Sequence, residues 1–173
     1  MGISPFKTYY ELLKEKVGIE ESEEVDNDFT NYGNIMEEKI RNHISEINDT
    51  KYLEDKLIKG DIRCHVDGFN GDSILEIKTT SRIHKKLRTY KYYIVQLLFY
   101  MINYKIDKGI LAVYERPKDF NTEFDADRLT TYSIDINEYQ DWVEEINNAV
   151  EQFRIDKKRL EENVLLGEDD FKW

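Results

Sequence analysis

The stretch Ile62–Thr80, IRCHVDGFNGDSILEIKTT, decides how the rest of the chain is read. Apolar Ile62, Cys64 and Val66 alternate with Arg63, His65 and Asp67, and after Asn70-Gly71 the run SILEIKT alternates again. A period of two belongs to a strand with one buried face, and Asn-Gly between two such runs marks a hairpin. With Asn70 and Gly71 as a two-residue loop, Phe69 pairs with Asp72 and Asp67 faces Ile74. One face then carries Ile62, Cys64, Val66, Leu75 and Ile77, an apolar layer fit to pack on helices. The other face carries Arg63, His65, Asp67, Glu76 and Lys78. In this register Glu76 lies opposite His65 and diagonal to Asp67.

The polar face holds a hydrolytic set. Cleaving a phosphodiester at neutral pH calls for a cation that neutralises phosphate and acidifies water, and hard divalent ions take oxygen ligands. Asp67 and Glu76 supply two carboxylates, and the Ile77 carbonyl supplies a third oxygen. Lys78 points to the same side as Glu76, where it can orient the attacking water, take its proton or stabilise developing charge. The string D-x8-E-x-K is unspecific on its own, since a solvated polar strand face is its ordinary explanation. The hairpin that converges the two carboxylates and the basic sequence after Lys78 are what raise it to a candidate site. His65 reads as a structural partner of Glu76, because a lone histidine is seldom a ligand.

Charge distribution bears on the partner. A net charge of −11 argues against a polyanion, yet residues 77–106 contain no acid and seven bases: Lys78, Arg82, Lys85, Lys86, Arg88, Lys91 and Lys105. Six acids crowd into EESEEVDND at residues 20–28 instead. The acid-free segment is a local positive field suited to DNA, with Arg82, Lys85, Lys86, Arg88 and Lys91 as the candidate phosphate contacts. Read blandly, it is a solvated loop.

At 173 residues the chain is expected to form a single domain with a real core. One cysteine, Cys64, excludes an internal disulfide, a zinc thiolate set and an iron–sulfur cluster. No apolar run approaches the roughly 20 residues of a membrane span, and MGISPFKTYYELL lacks a signal pattern, so a cytoplasmic protein of a bacterial or phage-infected cell, with no membrane partner, is expected.

The remaining elements follow from periodicity. Ser4-Pro5 caps a first helix carrying Phe6, Tyr9, Leu12, Leu13 and Val17, and residues 19–31 form an acidic linker. A second helix is predicted over Tyr32–Ile47, with Ile35, Met36, Ile40, His43, Ile44 and Ile47 inward and Glu37 and Glu38 near its first turn. Residues 90–105 form a nearly all-round buried helix with Gln96 and Tyr100 four apart. KGILAVYER and TTYSIDI are strands, and an amphipathic helix closes the chain over about 137–163. The fold class is α/β: a central mixed sheet of about four or five strands flanked by helices.

Six pieces, in order, resemble the lambda exonuclease and YqaJ-type viral recombinase branch of the PD-(D/E)xK nucleases. They are SPFKTYYELLKEKVG, GNIMEEKIRNHI, VDGFNGDSILEIKTTS, QLLFYMINY, LAVYERP and TYSIDINEYQDWVEEINNAVEQF, and together they span nearly the whole chain. The resemblance implies a restriction-endonuclease-like core and a G-x-x-x-E signature, Gly33 to Glu37, that adds an acid to the metal site. Glu38 is the neighbouring alternative, and the glycine spacing favours Glu37. It also implies Mg²⁺ on Asp67, Glu76 and Lys78, with Mn²⁺ as a substitute, Gln96 beside the metal, and Tyr100 near the DNA backbone. The activity it implies is exonucleolytic digestion of DNA in phage-type recombination or repair, with a homo-oligomeric ring and a single-strand annealing protein as expected partners. Two other readings stay open: a stand-alone endonuclease, and a catalytically idle nucleic-acid-binding or assembly subunit.

Overall fold

The computed structural model describes residues 7–21 and 26–165 of the chain. They form two compact units, Val25–Val143 and Met1–Glu24 with Glu144–Trp173.

The larger unit holds a five-stranded sheet in the order β1-β2-β3-β4-β5, made of β1 Leu53–Lys59, β2 Ile62–Phe69, β3 Ser73–Thr80, β4 Lys108–Glu115 and β5 Leu129–Asp135. β3 and β4 run parallel and every other neighbouring pair is antiparallel. Parallel neighbours need a crossover, and helix α3 (Lys91–Tyr104), entered through a 3₁₀ turn at Leu87–Tyr90, supplies it. Ile94, Leu97, Leu98 and Met101 of α3 are buried. The helix approaches β4 so closely that a Cβ on Gly109 would stand 2.8 Å from the Met101 sulfur.

Helix α2 (Asp28–Ile47) begins four residues before the sequence expectation, because the Asn27 side chain accepts the Thr30 N–H at 2.9 Å and caps it there. The linker is correspondingly shorter, and Glu37 stands in the third turn, where the helix dipole no longer accounts for an acid. Tyr32, Met36, Ile40 and Ile44 form the buried stripe of α2, packed with Tyr52, Leu75, Ile77, Ala112 and Tyr114. Ile35 and Ile47, expected inward, are 50% and 60% exposed, each lying off that stripe. His43 instead stacks on Phe124, ring centroids 4.7 Å apart.

The hairpin closes differently from a two-residue Asn-Gly turn. The observed pairs are Phe69 with Ile74 and Gly68 with Leu75, so Asn70–Ser73 make a four-residue loop. Asn70 Oδ1 accepts from the Asp72 and Ser73 amides at 3.0 and 2.7 Å, and Gly71 takes the positive φ of 97° that the loop needs. The slip of two positions keeps every side chain on its face. Extended by one pair, this register would set Asp67, rather than His65, opposite Glu76, and His65 pairs with Lys56 of β1.

In the smaller unit, helix α1 (Tyr9–Val17) is capped by Thr8 in a reciprocal capping box with Glu11, not near Ser4. Ser4 and Phe6 lie outside the described residues. Helix α4 (Gln140–Leu165) follows a 3₁₀ turn at Ile136–Tyr139, so the closing helix starts three residues later than the expected 137. Leu13, Ile146 and Leu160 are buried, and the Tyr9 hydroxyl donates to buried Asp156 at 2.6 Å.

Candidate active site

The acidic centre sits where the β2–β3 ladder opens. Main-chain pairing between these strands stops at Gly68 and Leu75, and beyond it the Asp67 carboxylate takes the Ile77 N–H at 2.7 Å. A side chain thus occupies the place of a ladder carbonyl, which ties the Asp67 carboxylate to β3 between Glu76 and Lys78. Glu76 is 1% exposed, its Oε1 is 2.5 Å from the Lys78 ammonium, and its buried Oε2 has no hydrogen-bond donor among the described residues. Lys78 also lies over the Tyr93 ring of α3, 5.5 Å from the centroid.

Across from these strands stands Glu37 of α2. It lines a cleft of about 340 Å³ together with Phe29, Thr30, Gly33, Asn34, Asp67, Ile77, Lys78 and Thr79. Glu38 is exposed and does not line it. Glu37 Oε1 is held at 2.7 Å by Arg41, whose same nitrogen bonds Glu54 at 2.8 Å, and Glu54 is in turn 3.6 Å from His65. His65 therefore partners Glu54 of β1. Arg41, Glu54 and Tyr93 escaped the sequence reading; the i,i+4 spacing of Glu37 and Arg41 was the available signal.

Crowding buried carboxylates raises their affinity for protons. Burial pushes Glu76 up to about 7, the Lys78 charge opposing and the Asp67 charge adding to the shift. Asp67 is raised by burial despite the Ile77 N–H and Lys78, and Glu37 is raised by burial and by Asp67 despite Arg41. Burial disfavours charge on Lys78, but the adjoining Glu76 carboxylate outweighs it and holds the ammonium protonated. On the α3 side, Gln96 Nε2 donates to the Tyr100 hydroxyl at 2.8 Å. That hydroxyl is raised first by burial and then by the Glu76 charge, so the pair borders the acidic centre.

This donor set fits a hard divalent cation. An unsatisfied buried carboxylate oxygen beside a second carboxylate is costly without a positive partner, and oxygen ligands suit Mg²⁺ or Mn²⁺. Among the described residues no three His, Cys, Asp or Glu side chains group as an ion site. The fitting ligands are the Asp67 and Glu76 carboxylates with the Ile77 carbonyl, water completing the shell. Glu37, expected as a further ligand, is paired with Arg41 through Oε1.

Arg82, Lys85, Lys86, Arg88 and Lys91 are all exposed along the segment from β3 into α3. None of the five forms an ion pair among the described residues, although Lys91 lies 5.3 Å from the Trp142 ring centroid.

The YqaJ-like viral recombinase domain model matches residues 1–103, more than half of the chain and including α2, the hairpin and most of α3. The chain belongs to this family. In fold, this YqaJ-family chain is similar to a phage-related exonuclease from Haemophilus somnus 129PT, at 17% identity over 89% of this chain and 81% of the other, with a TM-score of 0.63. An alkaline exonuclease from Laribacter hongkongensis, LHK-Exo, is similar at 14% identity over 91% and 83% of the two chains, TM-score 0.58. The structure of LHK-Exo in complex with dAMP matches at 16% identity and a TM-score of 0.59. The shared architecture is the mixed sheet with flanking helices of the PD-(D/E)xK fold. No curated protein matches the sequence. Among the described residues no helix is long and apolar enough to cross a membrane.

Proposed function

We propose that this protein is a magnesium-dependent deoxyribonuclease, a phage-type exonuclease that acts on DNA ends in recombination or repair, with Mn²⁺ able to replace Mg²⁺. The observation that carries the reading is the buried Glu76 carboxylate, paired to Lys78 through one oxygen and, among the described residues, lacking a donor on the other, beside Asp67. A binding module gains nothing from burying acids where phosphate must approach. Family membership and the exonuclease-like fold support the same chemistry.

A divalent ion held by Asp67, Glu76 and the Ile77 carbonyl would neutralise phosphate charge and lower the pKa of water. Lys78, fixed by Glu76 and by the Tyr93 ring, keeps its proton and presents positive charge where negative charge develops on the phosphoryl oxygens. Glu37, held by Arg41 on the opposite wall of the cleft, orients water or substrate from that side. Gln96 and Tyr100 border the centre, and the exposed bases from Arg82 to Lys91 hold the DNA backbone.

An isolated subunit of net charge −11 should hold DNA weakly outside this basic segment. A ring of subunits that surrounds its substrate with such segments, working beside an annealing protein, is the assembly this reading favours. The test uses end-labelled linear duplex, single strand and closed circular duplex, each with magnesium or EDTA. Degradation of linear duplex with magnesium alone is expected. Cleavage of closed circles at the linear rate would favour an endonuclease, and no cleavage of any substrate would return the chain to a binding or assembly subunit.

A further inference from the structure

Beyond the acidic centre, one cation in the larger unit is held in an unusual way. Arg116 follows the last residue of β4, and its N–H donates to the Thr80 carbonyl at 2.7 Å, which ties it to the end of β3 two residues past Lys78. Its guanidinium lies 4.5 Å from the Phe29 ring centroid and 4.8 Å from that of Phe120. The two rings stand 5.5 Å apart, and Phe120 rests edge-on against Tyr32. Phe120 reaches this place with a φ of 56°, its N–H on the Pro117 carbonyl at 3.1 Å. A left-handed phenylalanine is strained, so the turn is built to set the ring under the guanidinium.

What Arg116 lacks is an acid. The chain has 36 Asp and Glu against 25 Lys and Arg, yet among the described residues Arg116 forms no ion pair. Its neighbour Glu115 is turned elsewhere, accepting the Ile83 N–H at 3.2 Å and lying 3.9 Å from Arg128. A guanidinium held by aromatic rings, with no acid beside it, keeps N–H donors for an outside acceptor, and the planar fork matches phosphate oxygens. Phe29, 56% exposed, lines the same cleft as Glu37, Asp67 and Lys78, so Arg116 stands at the rim of the candidate active site.

We infer that Arg116, positioned by Phe29 and Phe120, is a phosphate-binding residue that grips the DNA strand entering the Glu37–Lys78 cleft. The inference rests on the nuclease reading and adds a contact at the Phe29 rim of the cleft, from a residue outside the basic segment between β3 and α3. Either an internal phosphodiester or a terminal phosphate supplies the required chemistry.

Binding of fluorescent duplexes with 5′-hydroxyl or 5′-phosphate ends, titrated with salt in EDTA, tests it. Arg116→Gln should lower the magnitude of the slope of log affinity against log salt by about 0.9, the value for one phosphate no longer neutralised on duplex DNA. Arg116→Met, which keeps an apolar stem on the rings, should do the same if the glutamine variant is unstable. Lys59→Gln, at the β1–β2 turn, removes the same charge and should leave the slope unchanged. A lower slope with both duplexes identifies an internal phosphate, and one confined to phosphorylated ends identifies the terminus. Unchanged slopes for both Arg116 variants, or an equal fall with Lys59→Gln, overturn the inference while wild-type cleavage with magnesium leaves the nuclease reading standing. A wild type that neither binds nor cuts DNA overturns both.

Discussion

The Asp67 carboxylate accepts the Ile77 amide proton at 2.7 Å, in the position where continued pairing of β2 and β3 would set a main-chain carbonyl. One side chain therefore closes the hairpin and, beside Glu76, forms the acidic centre. The structural role and the proposed chemical one meet in the same carboxylate, and substitutions can separate them.

Asp67→Asn retains a side-chain oxygen for the Ile77 N–H and should fold with near-normal stability while losing cleavage. Asp67→Ala leaves that buried amide without its acceptor and should cost about 1–3 kcal/mol in addition to activity. Urea denaturation of both variants, alongside a cleavage assay, checks the separation. Equal stability of the two would show that the hydrogen bond does not hold the hairpin.

Glu76 gives a pH signature in metal-free protein. Its folded pKa, about 7, lies above the ordinary value of 4.5, so between these pH values the folded state binds more protons than the unfolded chain. Stability should therefore rise as pH falls from 7 toward 4.5 and be lowest above 7, the reverse of a salt-bridged surface carboxylate. Glu76→Gln should flatten this dependence in the EDTA-treated protein. Denaturation in EDTA at pH 5 and pH 8 measures it, and a variant with the wild-type pH slope would refute the assignment.

The exposed bases form a separate test. Replacing Lys85, Lys86 and Arg88 with glutamine should reduce the salt slope of DNA binding by about 0.9 for each phosphate these side chains neutralise, without changing thermal stability. An unchanged slope would make this segment an ordinary solvated loop.

Much of the fold was legible in residues 62–80 because β2 alternates buried and exposed positions and the faces survive a slip of two positions, although β3 buries Ile74–Ile77 in a row. The register itself was not legible: Asn-Gly suits a two-residue turn, and only the Asn70 oxygen, accepting two amides ahead, selects the four-residue loop. β1 left no alternating signal, since as an edge strand it exposes nearly every position of LEDKLIK. The start of α2 was hidden because its Asn27 cap lies inside an acidic run that reads as linker. Glu37 was visible from its glycine spacing, but its hold on Arg41 and that residue's link to Glu54 join α2 to β1 across a strand the sequence did not declare. Arg116 had no local pattern at all, since its rings come from Phe29 and Phe120, one of them 87 positions away.

The most direct measurement of the central claim is the cleavage rate of Lys78→Ala on linear duplex at saturating magnesium, taken together with its DNA affinity. Lys78 joins Glu76 and Tyr93 in the site without belonging to the proposed ligand set. The account predicts a rate at least about 10²–10³-fold below wild type, as for other preorganised groups that stabilise transition-state charge, with DNA binding retained. A Lys78→Ala protein that cuts at the wild-type rate would contradict it.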